Sequence, residues 1–320
     1  MLTVENLSVS FETRRGRMSV VEDLSFTLER GRTLGIVGES GSGKSVTSLA
    51  IMGLLPPNAR VTSGHVWLDG QDLLCASESE LQRIRGESLA MIFQDPMTSL
   101  NPSFTVGFQL EEAMTAHGVK DDLRARAVEL LKWVGIPDPE IRLSSYPHQL
   151  SGGMAQRVMI AMAIACSPDF LIADEPTTAL DVTIQAQILA LLKKIQKERG
   201  MGLILITHDI GVVAQMADEI LVMYAGHALE KGPKDEVIYR PRHPYTRALL
   251  ASLPGRQENA AFRSRLPTIA GVVPDLLKRP TGCQLHPRCE FADEECRTKP
   301  PEKQKVGEVD VKCHRPLEPQ

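Results

Sequence analysis

The chain opens on an alternating pattern. Leu2, Val4, Leu7, Val9 and Phe11, then Val20, Val21, Leu24 and Phe26, are set among polar positions, and Thr13, Arg14, Arg15, Gly16 and Arg17 fall between the two runs. This predicts strands joined by a hairpin loop, each with one face on a core. From residue 33 the pattern changes to short unbroken apolar runs, at 33–37, 89–93, 170–175, 202–207 and 220–225. Such runs read as strands buried on both faces. Between them the periodicity is helical, most clearly over 46–52, 151–166 and 184–199. Strand and helix in alternation predict a parallel sheet covered by helices, so the fold class is α/β, with an antiparallel β-layer ahead of the sheet core. A further strand is expected at 64–70 and a short charged helix at 78–85.

Residues 103–147 are helical in period and rich in charge, with Val128, Leu130, Leu131 and Val134 on one face and breaks at Pro139 and Pro147. They predict a helical subdomain, about 103–168, inserted into the α/β core. Residues 233–280 carry seven prolines and read as short helices and loops. The last 40 residues are polar and hold four of the six cysteines. The expected organisation is therefore a main domain over 1–250 and a small Cys-rich C-terminal domain over 251–320.

The strongest candidate chemistry is G-E-S-G-S-G-K-S: Gly38, Glu39, Ser40, Gly41, Ser42, Gly43, Lys44 and Ser45. It follows the run 33–37 and opens the helical run that begins at Val46, the context a phosphate-binding loop needs. Glycines let backbone N–H groups crowd around phosphate oxygens, and the helix N-terminus adds partial positive charge. Lys44 then reaches the outer phosphates, and the Ser45 hydroxyl suits Mg²⁺. Ser151 is a good helix N-cap, and Gly152, Gly153 and Met154 follow it, which alone is one more anion-binding helix start. The run 170–175 ends in Asp174 and Glu175. Beside a phosphate loop, one acid serves Mg²⁺ and the second orients a water; without one they are solvated acids at a strand end. His208 ends another strand, as a structural histidine or a sensor of γ-phosphate. Phe11 reads equally well as a strand aromatic or as a platform for an adenine ring.

At 320 residues the chain can bury a full core. A net charge of -4 argues against a nucleic-acid footprint, which would be basic. The N-terminal residues lack the pattern of a signal peptide. The longest apolar stretch, 158–166, is too short to span a bilayer, so any membrane role is expected to come through a partner. Cys283, Cys289, Cys296 and Cys313 are separated by five, six and sixteen residues. Four thiolates suit tetrahedral zinc or a cubane iron–sulfur cluster, and the spacing leaves both open beside plain reduced thiols. His286 and His314 flank the set and keep zinc among the alternatives. Cys75 and Cys166 are expected to be packing residues.

Taken together, the chain resembles the ATP-binding cassette family, the nucleotide-binding subunits of membrane transporters. The resemblance covers residues 1–250 and rests on the phosphate loop, Gln94, the signature L-S-G-G-M-A-Q, the F-L-I-A-D-E strand, T-A-L-D and His208. It implies that Phe11 stacks on adenine, that residues 38–46 bind the nucleotide, and that Ser45 and Gln94 ligate Mg²⁺ with Asp174 helping through water. It implies that Glu175 polarises the attacking water and that His208 contacts the γ-phosphate. Two cassettes in this family sandwich two ATP molecules, so Ser151, Gly152, Gly153 and Met154 would face the ATP of the opposite subunit. Met154 stands where the commonest pattern has Gln.

A narrower resemblance is to the peptide and nickel importer ATPases, and among these to the D-type subunit of dipeptide and oligopeptide importers. It rests on residues 93–102 (F-Q-D-P-M-T-S-L-N-P), 242–246 (R-H-P-Y-T), 271–274 (G-V-V-P) and the cysteine tail. It implies a peripheral protein on the cytoplasmic face of the cell membrane. Its partners would be a paralogous second ATPase subunit, two transmembrane permease subunits and an extracytoplasmic substrate-binding protein. It also tips the cysteine set toward a [4Fe-4S] cluster, with Zn²⁺ as the alternative. The alternatives for function are an importer of nickel or another small solute, and a soluble cassette ATPase acting on ribosomes or DNA.

Overall fold

The computed structural model describes residues 1–120, 122–178, 180–253, 269 and 271–318. The chain forms two compact units. One comprises Met1–Leu2, Leu28–Arg32 and Cys75–Ile206; the other comprises Thr3–Thr27, Thr33–Leu74 and Thr207–Gln320.

The first unit is built on three parallel strands, Leu89–Ile92, Phe170–Asp174 and Gly202–Thr207, in the register Leu89↔Phe170 and Phe170↔Gly202. Every residue of these strands is buried. That is why the sequence shows unbroken apolar runs there in place of alternation. Between the first two strands lie the helices Val106–Ala116, Leu123–Trp133 and Gly152–Ile164, which pack on one another. Each has a side-chain N-cap, from Thr105, Asp122 and Ser151. Leu130, Leu131 and Val134 are buried in this bundle and Val128 is half-buried. The buried Gln109 fixes the bundle to the loop before it. Its amide donates to the carbonyls of Asn101 and Phe104, and its oxygen accepts from the Asn101 N–H. Asp181 caps the long helix Val182–Arg199.

The second unit holds a four-stranded layer in the order Gly16–Leu28, Leu2–Thr13, Ala59–Leu68 and Gln71–Asp72. It also holds the strand Thr33–Val37, parallel to Glu219–Tyr224. His227–Pro233 pairs antiparallel on the other side of Glu219–Tyr224. Helix Ile210–Met216, capped by Asp209, packs on Thr33–Val37. Sequence reading passed over the short edge strand Gln71–Asp72 and two further elements. His227–Pro233 is broken by a bulge between Ala228 and Glu230, which disrupts its alternation. Ile210–Met216 is too short to show a helical period.

The tail departs most from expectation. It does not form a small separate domain. Strands Lys303–Val306 and Val309–Lys312 make a hairpin, and the second pairs with His227–Pro233 through Glu230↔Val311 and Lys231↔Asp310. Cys283, Leu285 and Cys296 belong to the same buried cluster as Val222, Tyr224, Val237 and Tyr245. Val309 and Val311 are buried as well. A stretch with few large apolar side chains thus secures its order by leaning on the core of the second unit. Cys75 is exposed, so its expected packing role does not hold, whereas Cys166 is half-buried with its thiol toward the Ala113 carbonyl. Among the described residues no helix is long and apolar enough to cross a membrane.

Candidate functional site

In the second unit the phosphate loop leaves the buried strand Thr33–Val37 and runs into helix Lys44–Ile51. Two glycines are dictated by space and by backbone. A Cβ on Gly38 would stand 2.1 Å from the Met223 carbonyl oxygen. Gly43, the helix N-cap, has φ 97°, where side chains are disfavoured. Lys44 is buried, and its ammonium donates to the carbonyls of Gly38 (2.8 Å) and Glu39 (3.0 Å). The cation is thus folded back over its own loop. Ser42 is buried, Ser45 and Val46 are half-buried, and Ser40 and Gly41 are exposed. In the same unit Phe11 is half-buried on Leu2–Thr13, and His208 is exposed just past Thr207.

In the first unit Asp174 ends its strand with its side chain buried. The chain then turns sharply: Glu175 has φ 46°, a left-handed conformation that costs about 1–3 kcal/mol in a non-glycine residue. Its N–H is bonded to the Ile206 carbonyl, so the strained turn is anchored to the neighbouring strand. Its carboxylate accepts from the Gln94 amide (3.1 Å) and from the Thr178 hydroxyl (2.8 Å). Gln94 and Glu175, placed by sequence in separate loops, meet in one hydrogen-bonded group. Thr178 opens the T-A-L-D motif, but sequence reading gave its hydroxyl no part in holding Glu175. Ser151 accepts from the Met154 N–H and caps Gly152–Ile164, and Ser151 and Gly152 are exposed while Gly153 and Met154 are half-buried.

The four tail cysteines are all unbridged and line one cavity in the second unit, together with His243, His286 and His314. Burial raises the pKa of each, Cys313 to about 12, and the thiols also repel one another's charge. Such a set stays protonated unless a cationic centre compensates it. The imidazole Nδ1 atoms of His286 and His243 are turned to the backbone, toward the Cys283 carbonyl and the Tyr245 N–H respectively. Burial pushes the pKa of His243 down to about 3. Among the described residues no three His, Cys, Asp or Glu side chains are gathered to hold a single metal ion.

Comparison with known proteins matches this architecture. The ABC transporter family matches residues 21–178, and the oligopeptide/dipeptide transporter C-terminal region matches residues 229–296. The dipeptide transport ATP-binding protein DppD of Haemophilus influenzae is 54% identical, covering 100% of this chain and 97% of its own. The oligopeptide transport ATP-binding protein OppD of Bacillus subtilis is 52% identical, covering 91% of this chain and 82% of its own. Among solved structures, a dimeric ATP-binding cassette in a post-hydrolysis state bound to ADP and phosphate superposes with a TM-score of 0.66 at 28% identity. That match covers 73% of this chain and 99% of the other. The chain belongs to the ATP-binding cassette family of transporter ATPases. Within that family it carries the C-terminal region characteristic of oligopeptide and dipeptide transporters.

Proposed function

We propose that this chain is an ATP-hydrolysing subunit of a membrane importer for di- and oligopeptides. The observation that carries the reading is the end-to-end match at 54% identity to a dipeptide transport ATP-binding protein, with every cassette motif in place. Residues 38–46 hold the triphosphate through backbone amides and the Lys44 ammonium, and Phe11 stacks on the adenine. Ser45 and Gln94, with Asp174 through water, would hold Mg²⁺, which supplies neutralisation of charge on the transferring phosphoryl group. Glu175, fixed by Gln94 and Thr178, orients the attacking water and takes its proton. His208 contacts the γ-phosphate. The partners are a paralogous second ATPase, two permease subunits and an extracytoplasmic binding protein, with this chain peripheral on the cytoplasmic face. Co-purification of the tagged chain with its membrane subunits tests the assignment; recovery with ribosomes or DNA would support a non-transport ATPase.

The signature acts across the dimer in this reading. Ser151→Ala should therefore lower hydrolysis at the partner's phosphate loop by roughly tenfold or more, the loss of one hydrogen bond to a charged group. In a mixed complex with one phosphate loop disabled, the loss should appear only when the partner's loop is the active one. A loss confined to this chain's own loop contradicts the sandwich.

The cysteine tail is proposed to hold a [4Fe-4S] cluster. Four unbridged thiols that line one cavity, three of them buried, support it. Anaerobically purified protein should contain iron and acid-labile sulfide, and Cys289→Ser should lose both. One zinc per chain without sulfide would contradict the cluster.

A further inference from the structure

Glu39 places a carboxylate in a loop whose task is to hold a triphosphate. Left alone, that charge would oppose the ligand. The second unit answers it with Arg288, which comes from the short turn His286–Arg288 in the cysteine tail. Its Nη1 lies 3.0 and 3.2 Å from the two carboxylate oxygens of Glu39, and it also donates to the Tyr224 hydroxyl at 3.3 Å. Its Nη2 donates to the Ile269 carbonyl at 3.2 Å, and the guanidinium sits 5.6 Å from the centre of the Tyr224 ring. The arginine side chain is only 5% exposed, so its charge is weakly screened. The Glu39 N–H is held separately, by the Tyr245 hydroxyl at 3.1 Å.

We propose that Arg288 is a positioning residue of the nucleotide site: it neutralises the Glu39 carboxylate and holds it aside, so that the phosphate loop presents net positive charge to the triphosphate. The tail thereby contributes to nucleotide affinity, although none of its residues belongs to a cassette motif. The inference rests on reading residues 38–46 as the triphosphate site. A purely structural arginine would also tie the tail down, and the two roles separate through Glu39. If neutralisation is the role, removing the carboxylate removes the need for the arginine. If anchoring is the role, the contacts to Tyr224 and Ile269 are lost whatever stands at position 39.

The test is titration of the full-length chain with fluorescent analogues of ATP and ADP in the presence of Mg²⁺. Arg288→Met should weaken ATP-analogue binding roughly tenfold, as expected for an uncompensated charge near a polyanion. The loss should be smaller for the ADP analogue, which carries less charge. Arg288→Lys keeps the charge but not the guanidinium's several contacts, and its loss should fall between wild type and Arg288→Met. In a Glu39→Gln background, Arg288→Met should produce no further loss. Should Arg288→Met fail to fold, as its circular dichroism would show, the same comparisons are read on Arg288→Gln. Equal losses for the two nucleotides, or an equal loss in the Glu39→Gln background, would overturn the proposal. So would unchanged binding in Arg288→Met while Lys44→Ala binds weakly, with the loop assignment left standing. A wild-type chain that does not bind the analogues, or a Lys44→Ala chain that binds them normally, would overturn the loop assignment itself.

Discussion

Glu175→Gln is expected to lower ATP hydrolysis by roughly two to four orders of magnitude, the usual worth of a positioned general base, while nucleotide binding persists. The substitution keeps the shape of the side chain and its ability to accept from Thr178 and Gln94. It removes only the charge and basicity that draw a proton from water. Because the backbone turn at Glu175 is anchored through its N–H to Ile206, the local fold does not depend on the carboxylate. With hydrolysis blocked and binding intact, the ATP-bound dimer should accumulate and be visible by size-exclusion chromatography. Turnover close to wild type would remove Glu175 from its proposed role.

Lys44→Ala should act at an earlier step and weaken ATP binding itself. A charge-assisted hydrogen bond contributes about 1.5–3 kcal/mol, which corresponds to roughly a ten- to hundredfold loss of affinity. The lysine is buried against the carbonyls of Gly38 and Glu39, so the variant also leaves those two acceptors without its ammonium. Equilibrium binding and thermal denaturation together separate the effects. An affinity loss for ATP with a small change in melting temperature is the expected pattern. Undiminished affinity would mean that phosphates are bound elsewhere.

The core of the cassette was legible because its strands are buried on both faces and its loops must contain particular residues. The apolar runs at 33–37, 170–174 and 202–207 coincide with strands, since a doubly covered strand has no polar face to blur the pattern. The glycines at 38 and 43 were equally readable, because close backbone approach and positive φ exclude other residues. What escaped was long-range. Nothing local to Arg288 reveals a partner 249 residues away in the phosphate loop. Nothing in Glu230 reveals that its buried carboxylate accepts the N–H groups of Arg242 and His243. The tail was misread for a related reason. Its own composition cannot sustain a core, but composition does not record that Val309 and Val311 complete the sheet of the main fold.

The central claim, that ATP hydrolysis by this chain energises peptide import, is tested most directly by uptake of a labelled dipeptide into vesicles. These would contain the chain with its membrane subunits and second ATPase, with the binding protein supplied on the substrate side. Uptake that requires ATP on the side of this chain and collapses with Glu175→Gln is the predicted result. Brisk ATP hydrolysis with no peptide accumulation, or uptake indifferent to Glu175→Gln, would contradict the account.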